Sequence, residues 1–140
     1  MSQAFLQPAL RNVDTQARIV LQVPRRFHTK PLLHQLHWLP VQQRITYKLA
    51  VLTYKVRSMS TPVYLHRRIA ECACSRTLRS ATIPLLDKQF MRTDFSRRAF
   101  RFSAPTVWNS LPQTVLISDS LSVFKSRLKT FLFNQAFIEH

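Results

Sequence analysis

Apolar residues along this chain recur mostly every three or four positions, the spacing of one helix face, and seldom alternate as they would along a half-buried strand. Leu10, Val13, Ala17 and Val20 mark a first helix within residues 7–23, which Pro24 closes. A basic linker, Arg25-Arg26-Phe27-His28, leads to Thr29, the expected N-cap of a short helix running to Trp38. Pro31 then falls in the first turn, where its missing N–H is harmless. Pro40 starts the clearest helix, from Val41 to about Ser58, with Val41, Ile45, Leu49, Leu52 and Val56 in one core-facing stripe. Thr61-Pro62 repeats the cap-and-proline start and predicts a shorter helix through Tyr64, Leu65 and Ile69 to about Cys72.

Periodicity weakens from Ser75 to Thr93, where Pro84 interrupts Ile83, Leu85 and Leu86, so an extended connector with one or two short strands is expected. Ser96 is the expected cap of a helix through Ala99, Phe100 and Phe102 that Pro105 breaks. Trp108 and Leu111 then share one turn, in which Asn109 bonds local backbone and Pro112 ends the turn. The last helix is capped by Asp119 or Ser120 and carries Leu121, Phe124, Leu128, Phe131 and Leu132 as its core stripe.

The expected fold class is therefore mainly α: a small irregular helical domain of about five to six helices, with an extended connector near residues 75–95. Residues 1–140 form a single or partial domain, with N-terminal helices over 7–74 and C-terminal helices over 96–134. Trp38, Leu49, Leu52, Trp108, Phe124 and Leu128 are the core residues expected to matter most. The two tryptophans sit in similar wrappers, Leu36-His37-Trp38-Leu39-Pro40 and Trp108-Asn109-Ser110-Leu111-Pro112, each read as a proline-terminated turn that pins a helix end.

Charge adds a functional direction. There are 21 Lys and Arg against 6 Asp and Glu, a formal net charge of +15, and no acid lies between Thr15 and Ala70. Such an excess attracts polyanions, with RNA or DNA the first candidate and anionic membrane surfaces the competitor. On the third helix Arg44, Lys48 and Lys55 fall within about 40° of one another at 100° per residue, flanked by Tyr47 and Tyr54. Cations for phosphate beside aromatics for stacking suit a single-stranded nucleic acid, and Arg25 and Arg26 extend the set. The same positions also suit a solvated face whose cations snorkel while the tyrosines pack a second layer.

Evidence of catalysis is missing from the sequence. Asp14, Asp87, Asp94, Asp119, Glu71 and Glu139 are scattered, so no local carboxylate pair offers acid/base or two-metal geometry. The chain has no glycine, which rules out a Walker loop, a dinucleotide fingerprint and a Gly-x-Ser-x-Gly elbow, and sends left-handed turns and helix C-caps to other residues. Cys72 and Cys74, with His66 nearby, and the pair His34 and His37 make a mixed metal site conceivable, but a second cysteine pair is lacking. Idle thiols in a reducing compartment are the expectation, with no metal and no cofactor. No membrane span and no small-molecule substrate are evident, and residues 1–27 are expected to form a plain first helix, although their arginines resemble those of a mitochondrial presequence. An intracellular product, nuclear or cytoplasmic, fits these features.

One ordered series of motifs goes further. Leu36-His37-Trp38-Leu39-Pro40-Val41, Arg44-Ile45 with Lys48, Leu52-Thr53-Tyr54-Lys55, Pro62 with Tyr64-Leu65, Ser75-Arg76 with Leu78-Arg79-Ser80, Arg98-Ala99-Phe100, Ala104-Pro105, Trp108-Asn109-Ser110-Leu111-Pro112 and Phe124-Lys125-Ser126 with Leu128-Lys129-Thr130 occur in that order. The succession resembles the C-terminal region of the reverse-transcriptase polyprotein of non-LTR, LINE-type retrotransposons of the jockey-like and chicken-repeat group, from about Leu10 to Phe133. The resemblance implies thumb-like helices and an extension that track an RNA template or target DNA. It also implies a non-catalytic product, because that family's Tyr-x-Asp-Asp palm and its endonuclease have no counterpart here. The family tends to place glycine where Met59 and Ser96 stand, and those two turns depart from its pattern. A protein-interaction or membrane-adhering cationic module is the alternative function, and a product without a selected role is a third.

Overall fold

The computed structural model describes residues 3–71 and 85–138, with side chains at Pro8 and from Arg11 onward. The described residues are mainly helical, as the apolar spacing predicts, and contain no strand. In chain order the helices are α1 (Gln3–Leu21), α2 (Thr29–Gln35), α3 (Val41–Met59), α4 (Val63–His66), α5 (Phe100–Ser110), α6 (Gln113–Leu116) and α7 (Leu121–Phe137), with a 3-10 turn over Ser96–Arg98. Of the expected extended connector, one isolated antiparallel bridge between Glu71 and Leu86 is described; Cys72, Cys74 and the motifs at Ser75–Ser80 lie outside the described residues.

Several boundaries differ from the sequence expectation, each for a local reason. Thr29 is the first helical residue rather than the cap: His28 occupies the extended cap position, and the Thr29 hydroxyl instead accepts a 3.1 Å bond from Arg18. Helix α2 stops at Gln35, and α4 is a single turn ending at His66 rather than near Cys72, with Val63 and Tyr64 exposed so that no apolar face extends it. Pro105 lies inside α5 and does not break it. Its ring is buried beside Ala104 and one turn from Trp108, and that burial offsets the loss of one N–H. Helix α6, in place of a plain end after Pro112, starts with Pro112 at its N-cap. Ser120 does cap α7, its Oγ accepting from the Val123 N–H at 3.3 Å.

The missing glycines explain three backbone features. Gln22, His37 and Ser60 all adopt left-handed conformations, with φ of 53°, 54° and 54°, at the ends of α1, α2 and α3. After α1, Val23 N–H donates to the Arg18 carbonyl at 3.1 Å and Gln22 N–H to Ile19 at 3.2 Å. After α2, Trp38 N–H donates to Leu33 at 2.9 Å and His37 N–H to His34 at 3.1 Å. These are paired Schellman bonds, built with Gln and His at the position that glycine usually takes. The first tryptophan wrapper is therefore a helix C-cap, tied back by the Trp38 N–H bond to Leu33.

The chain forms two compact units: residues 1–47 with 129–140, and residues 48–128. In the first, Val13 and Ala17 of α1, Leu32 and Leu33 of α2, and Val41 of α3 form the buried cluster, with Leu21, Val23, Leu36, Trp38, Ile45 and Phe137 packed against it. In the second, Ala50, Thr53 and Val56 of α3, Leu86, Trp108 of α5, Leu111, Val115 of α6, and Phe124 and Leu128 of α7 are buried. Phe124 stacks with Tyr54 at 4.5 Å between ring centroids and with Trp108 at 5.9 Å.

Trp108, Phe124 and Leu128 are core residues as expected, whereas Trp38, Leu49 and Leu52 are half-buried. Trp38 covers its cluster from outside because it follows the helix rather than belonging to it. Leu49 and Leu52 yield to a line through Ala50, Thr53 and Val56, each 0% exposed. Thr53 can occupy that line because its hydroxyl donates to the Leu49 carbonyl at 2.7 Å, leaving its methyl for packing.

Candidate nucleic-acid interface

The first unit carries a notch of about 270 Å³ whose walls come from three places in its chain. The α2 cap contributes His37, Trp38 and Leu39; the first turns of α3 contribute Arg44 and Tyr47; α7 contributes Lys129. Arg44 and Tyr47 lie three apart on α3 and so share a face. The cap brings the wrapper to that face, because Arg44 Nε donates to the Leu39 carbonyl at 2.8 Å and its guanidinium lies 5.8 Å from the Trp38 ring centroid.

The rings around this notch have protein behind them. Trp38 and Tyr47 are half-buried, and the exposed His37 ring lies 5.5 Å from the Phe133 ring, tilted by 31°. His34 lies 5.4 Å from Phe133 and 5.2 Å from Phe137, so the histidine pair packs on aromatic rings. Among the described residues no group of three or more His, Cys, Asp or Glu is placed to hold a metal. His66 Nδ1 lies 3.2 Å from the Val56 carbonyl, a contact that its Nδ1–H tautomer makes as a donor.

The cations anticipated from the sequence have different roles. Arg44 and Tyr47 line the notch, and Arg25 and Arg26 are exposed in the α1–α2 linker, where Arg26 lies over Phe27. Lys48, Lys55 and Tyr54 belong to the second unit. There Lys48 is exposed and Lys55 half-buried, while Tyr54 stacks on Phe124 and donates its hydroxyl to the Ser118 carbonyl at 3.1 Å. Tyr54 thus makes the second-layer packing that was the other sequence reading. Lys129, His37 and Trp38 were not among the sequence candidates for binding. Lys129 comes from a helix remote in sequence, and no local spacing signals its approach.

Several further arginines staple carbonyls or acids within their own unit. Arg18 donates to Phe27 O at 3.3 Å, and Arg127 to Thr114 O and Ile117 O at 3.1 and 2.8 Å. Arg57 meets Glu71 at 2.7 Å while its guanidinium lies 4.9 Å from the Trp108 ring centroid. Part of the positive charge therefore holds turns together. Among the described residues, no helix is long and apolar enough to cross a membrane.

Comparison of the chain with protein-family models, curated proteins and solved structures finds no match in any of the three.

Proposed function

We propose that this chain is a non-catalytic, cationic binder of single-stranded nucleic acid, derived from the post-palm region of a LINE-type reverse transcriptase, with the notch of the first unit as its contact site. The observation that carries the binding role is the arrangement of Arg44 and Lys129 beside the half-buried Tyr47 and the His37 ring that lies against Phe133. A guanidinium has five N–H donors and the Leu39 bond uses one, so Arg44 retains capacity for a phosphate while holding the notch in shape. Lys129 adds a second, exposed cation, and the rings offer a base a π-face. The ancestry rests on the ordered motifs from Leu36 to Thr130, and the helical character of the described residues accords with the thumb-like helices they imply. An intracellular site of action follows from a nucleic-acid partner.

The test is binding of the full chain to a single-stranded RNA oligonucleotide across a salt series. Micromolar affinity that falls steeply with salt is expected, the log-log slope being about −0.7 per phosphate neutralised. Lys129→Ala weakens binding to all sequences alike and flattens that slope by about one phosphate's share. Tyr47→Ala weakens single strands more than duplex. Absence of binding near physiological salt rejects the proposal.

A further inference from the structure

A second surface, in the 48–128 unit, has a different chemistry. Over residues 85–99, ahead of α5, the chain is not α-helical, and two phenylalanines project from it almost free of protein: Phe90 is 87% exposed and Phe95 is 82% exposed. Leu85, half covered, lies on the same stretch. Arg92 lies between these rings and Lys88, Arg97, Arg98 and Arg101 flank them, against Asp87 and Asp94. Beneath Phe90 a groove of about 430 Å³ is lined by Lys88, Gln89, Phe90, Met91, Arg97 and Phe102.

Rings and cations together suit two polyanions, and exposure separates them. A base-stacking platform needs a ring supported on one face, as His37 is supported by Phe133. Phe90 and Phe95, 87% and 82% exposed, have little protein against them, so stacking a base on either would order two nearly free groups at once. A side chain that enters the boundary between lipid headgroups and acyl chains instead gains in proportion to the apolar surface it still exposes. The groove repeats the pattern: Lys88 and Arg97 provide charge for a phosphodiester, Phe90, Phe102 and Met91 provide apolar wall, and Gln89 is its one amide for a base edge. Arg97 also pairs with Asp94 at 3.5 Å, and both side chains are largely exposed, so the pair yields readily to a competing phosphate.

We infer that the Phe90–Phe95 segment is a docking surface for an anionic lipid bilayer, with Phe90 and Phe95 entering the interface and Lys88, Arg92 and Arg97 meeting lipid phosphates. Charge draws the segment to the surface and the rings supply a component that salt does not remove. This surface shares no residue with the nucleic-acid notch.

The experiment uses the full chain and vesicles of phosphatidylcholine, with and without phosphatidylserine, at low salt and at about 1 M salt, where charges are screened within about 3 Å. Wild-type protein retains measurable binding to the anionic vesicles at high salt. The double variant Phe90→Ala, Phe95→Ala loses about tenfold or more of that high-salt binding, in line with removing two apolar side chains from a nonpolar phase. The variant with tryptophan at both positions keeps it. Far-UV circular dichroism stays unchanged, because the rings contribute little to folding. RNA affinity also stays unchanged, which separates this surface from the notch. Three results would each overturn the inference: no high-salt binding by wild type, equal vesicle binding by the alanine variant, or a loss of RNA affinity in that variant matching its loss on vesicles.

Discussion

The carboxamide of Asn109 pairs with both backbone polar groups of Leu86: its Oδ1 accepts the Leu86 N–H at 3.0 Å and its Nδ2 donates to the Leu86 carbonyl at 2.9 Å. One side chain thereby does for Leu86 what a neighbouring strand would do. Leu86, 2% exposed, also bridges Glu71, and the adjacent Asp87 N–H donates to Ala70 at 2.8 Å. The backbone of this buried crossing is satisfied from both sides without a sheet.

Asn109→Ala should therefore destabilise the fold by about 2–4 kcal/mol, because two bonds are lost and the N–H and C=O of the buried Leu86 lose their side-chain partner. Asn109→Asp should cost at least as much, since a carboxylate cannot donate to the Leu86 carbonyl. Urea unfolding of the three proteins decides it; a loss below about 0.5 kcal/mol for both variants would mean that water serves Leu86 equally well.

The two tryptophans should separate in the same assay. Trp108 is 2% exposed, stacks on Phe124 and lies under the Arg57 guanidinium, so Trp108→Ala should cost about 3–5 kcal/mol. Trp38 is half-buried over a helix cap and should cost roughly half as much. Equal losses would mean that the wrappers are structurally equivalent after all. Tyr54→Phe, which keeps the stack and removes the bond to Ser118, should cost about 1 kcal/mol.

What was legible in the sequence follows from range. The α3 and α7 stripes were visible because a helix repeats its burial every three or four residues, and Val56, Phe124 and Leu128 all lie where that spacing puts them. Ala50 and Thr53 do not stand out in that spacing because a small residue and a polar one carry little hydrophobic signal, although both are fully buried. The Asn109–Leu86 clamp and the approach of Lys129 to Arg44 depend on tertiary geometry, which local spacing does not encode. The absence of glycine did point to unusual helix ends, but which residues would take the left-handed positions was settled by where each helix stopped.

Those left-handed positions make a direct prediction. A residue with a Cβ is disfavoured at positive φ, so Gln22→Gly and Ser60→Gly should each stabilise by about 0.5–1 kcal/mol, after allowance for the greater freedom of glycine in the unfolded chain. Each should raise the melting temperature by a few degrees. Ser58→Gly, two residues before Ser60 and inside α3, is the control and should lower stability by about 1 kcal/mol. If all three fall together, the φ values at Gln22 and Ser60 carry no strain.

Arg44 provides the sharpest test of how one side chain can serve structure and binding together. Its Nε bond to Leu39 and its position over Trp38 hold the cap against α3, while the rest of the guanidinium faces the notch with Lys129. Arg44→Lys keeps the charge but has neither the planar fork nor the stacked geometry. It should lose about 1 kcal/mol of stability from the Leu39 bond and the Trp38 contact, and should keep most of the salt dependence of RNA binding. Arg44→Ala should lose at least as much stability and, in addition, flatten the salt slope. Unfolding curves and salt titrations on the same two proteins separate the contributions: a lysine variant as stable as wild type would remove the structural role, and an alanine variant with an unchanged salt slope would remove Arg44 from the phosphate contact.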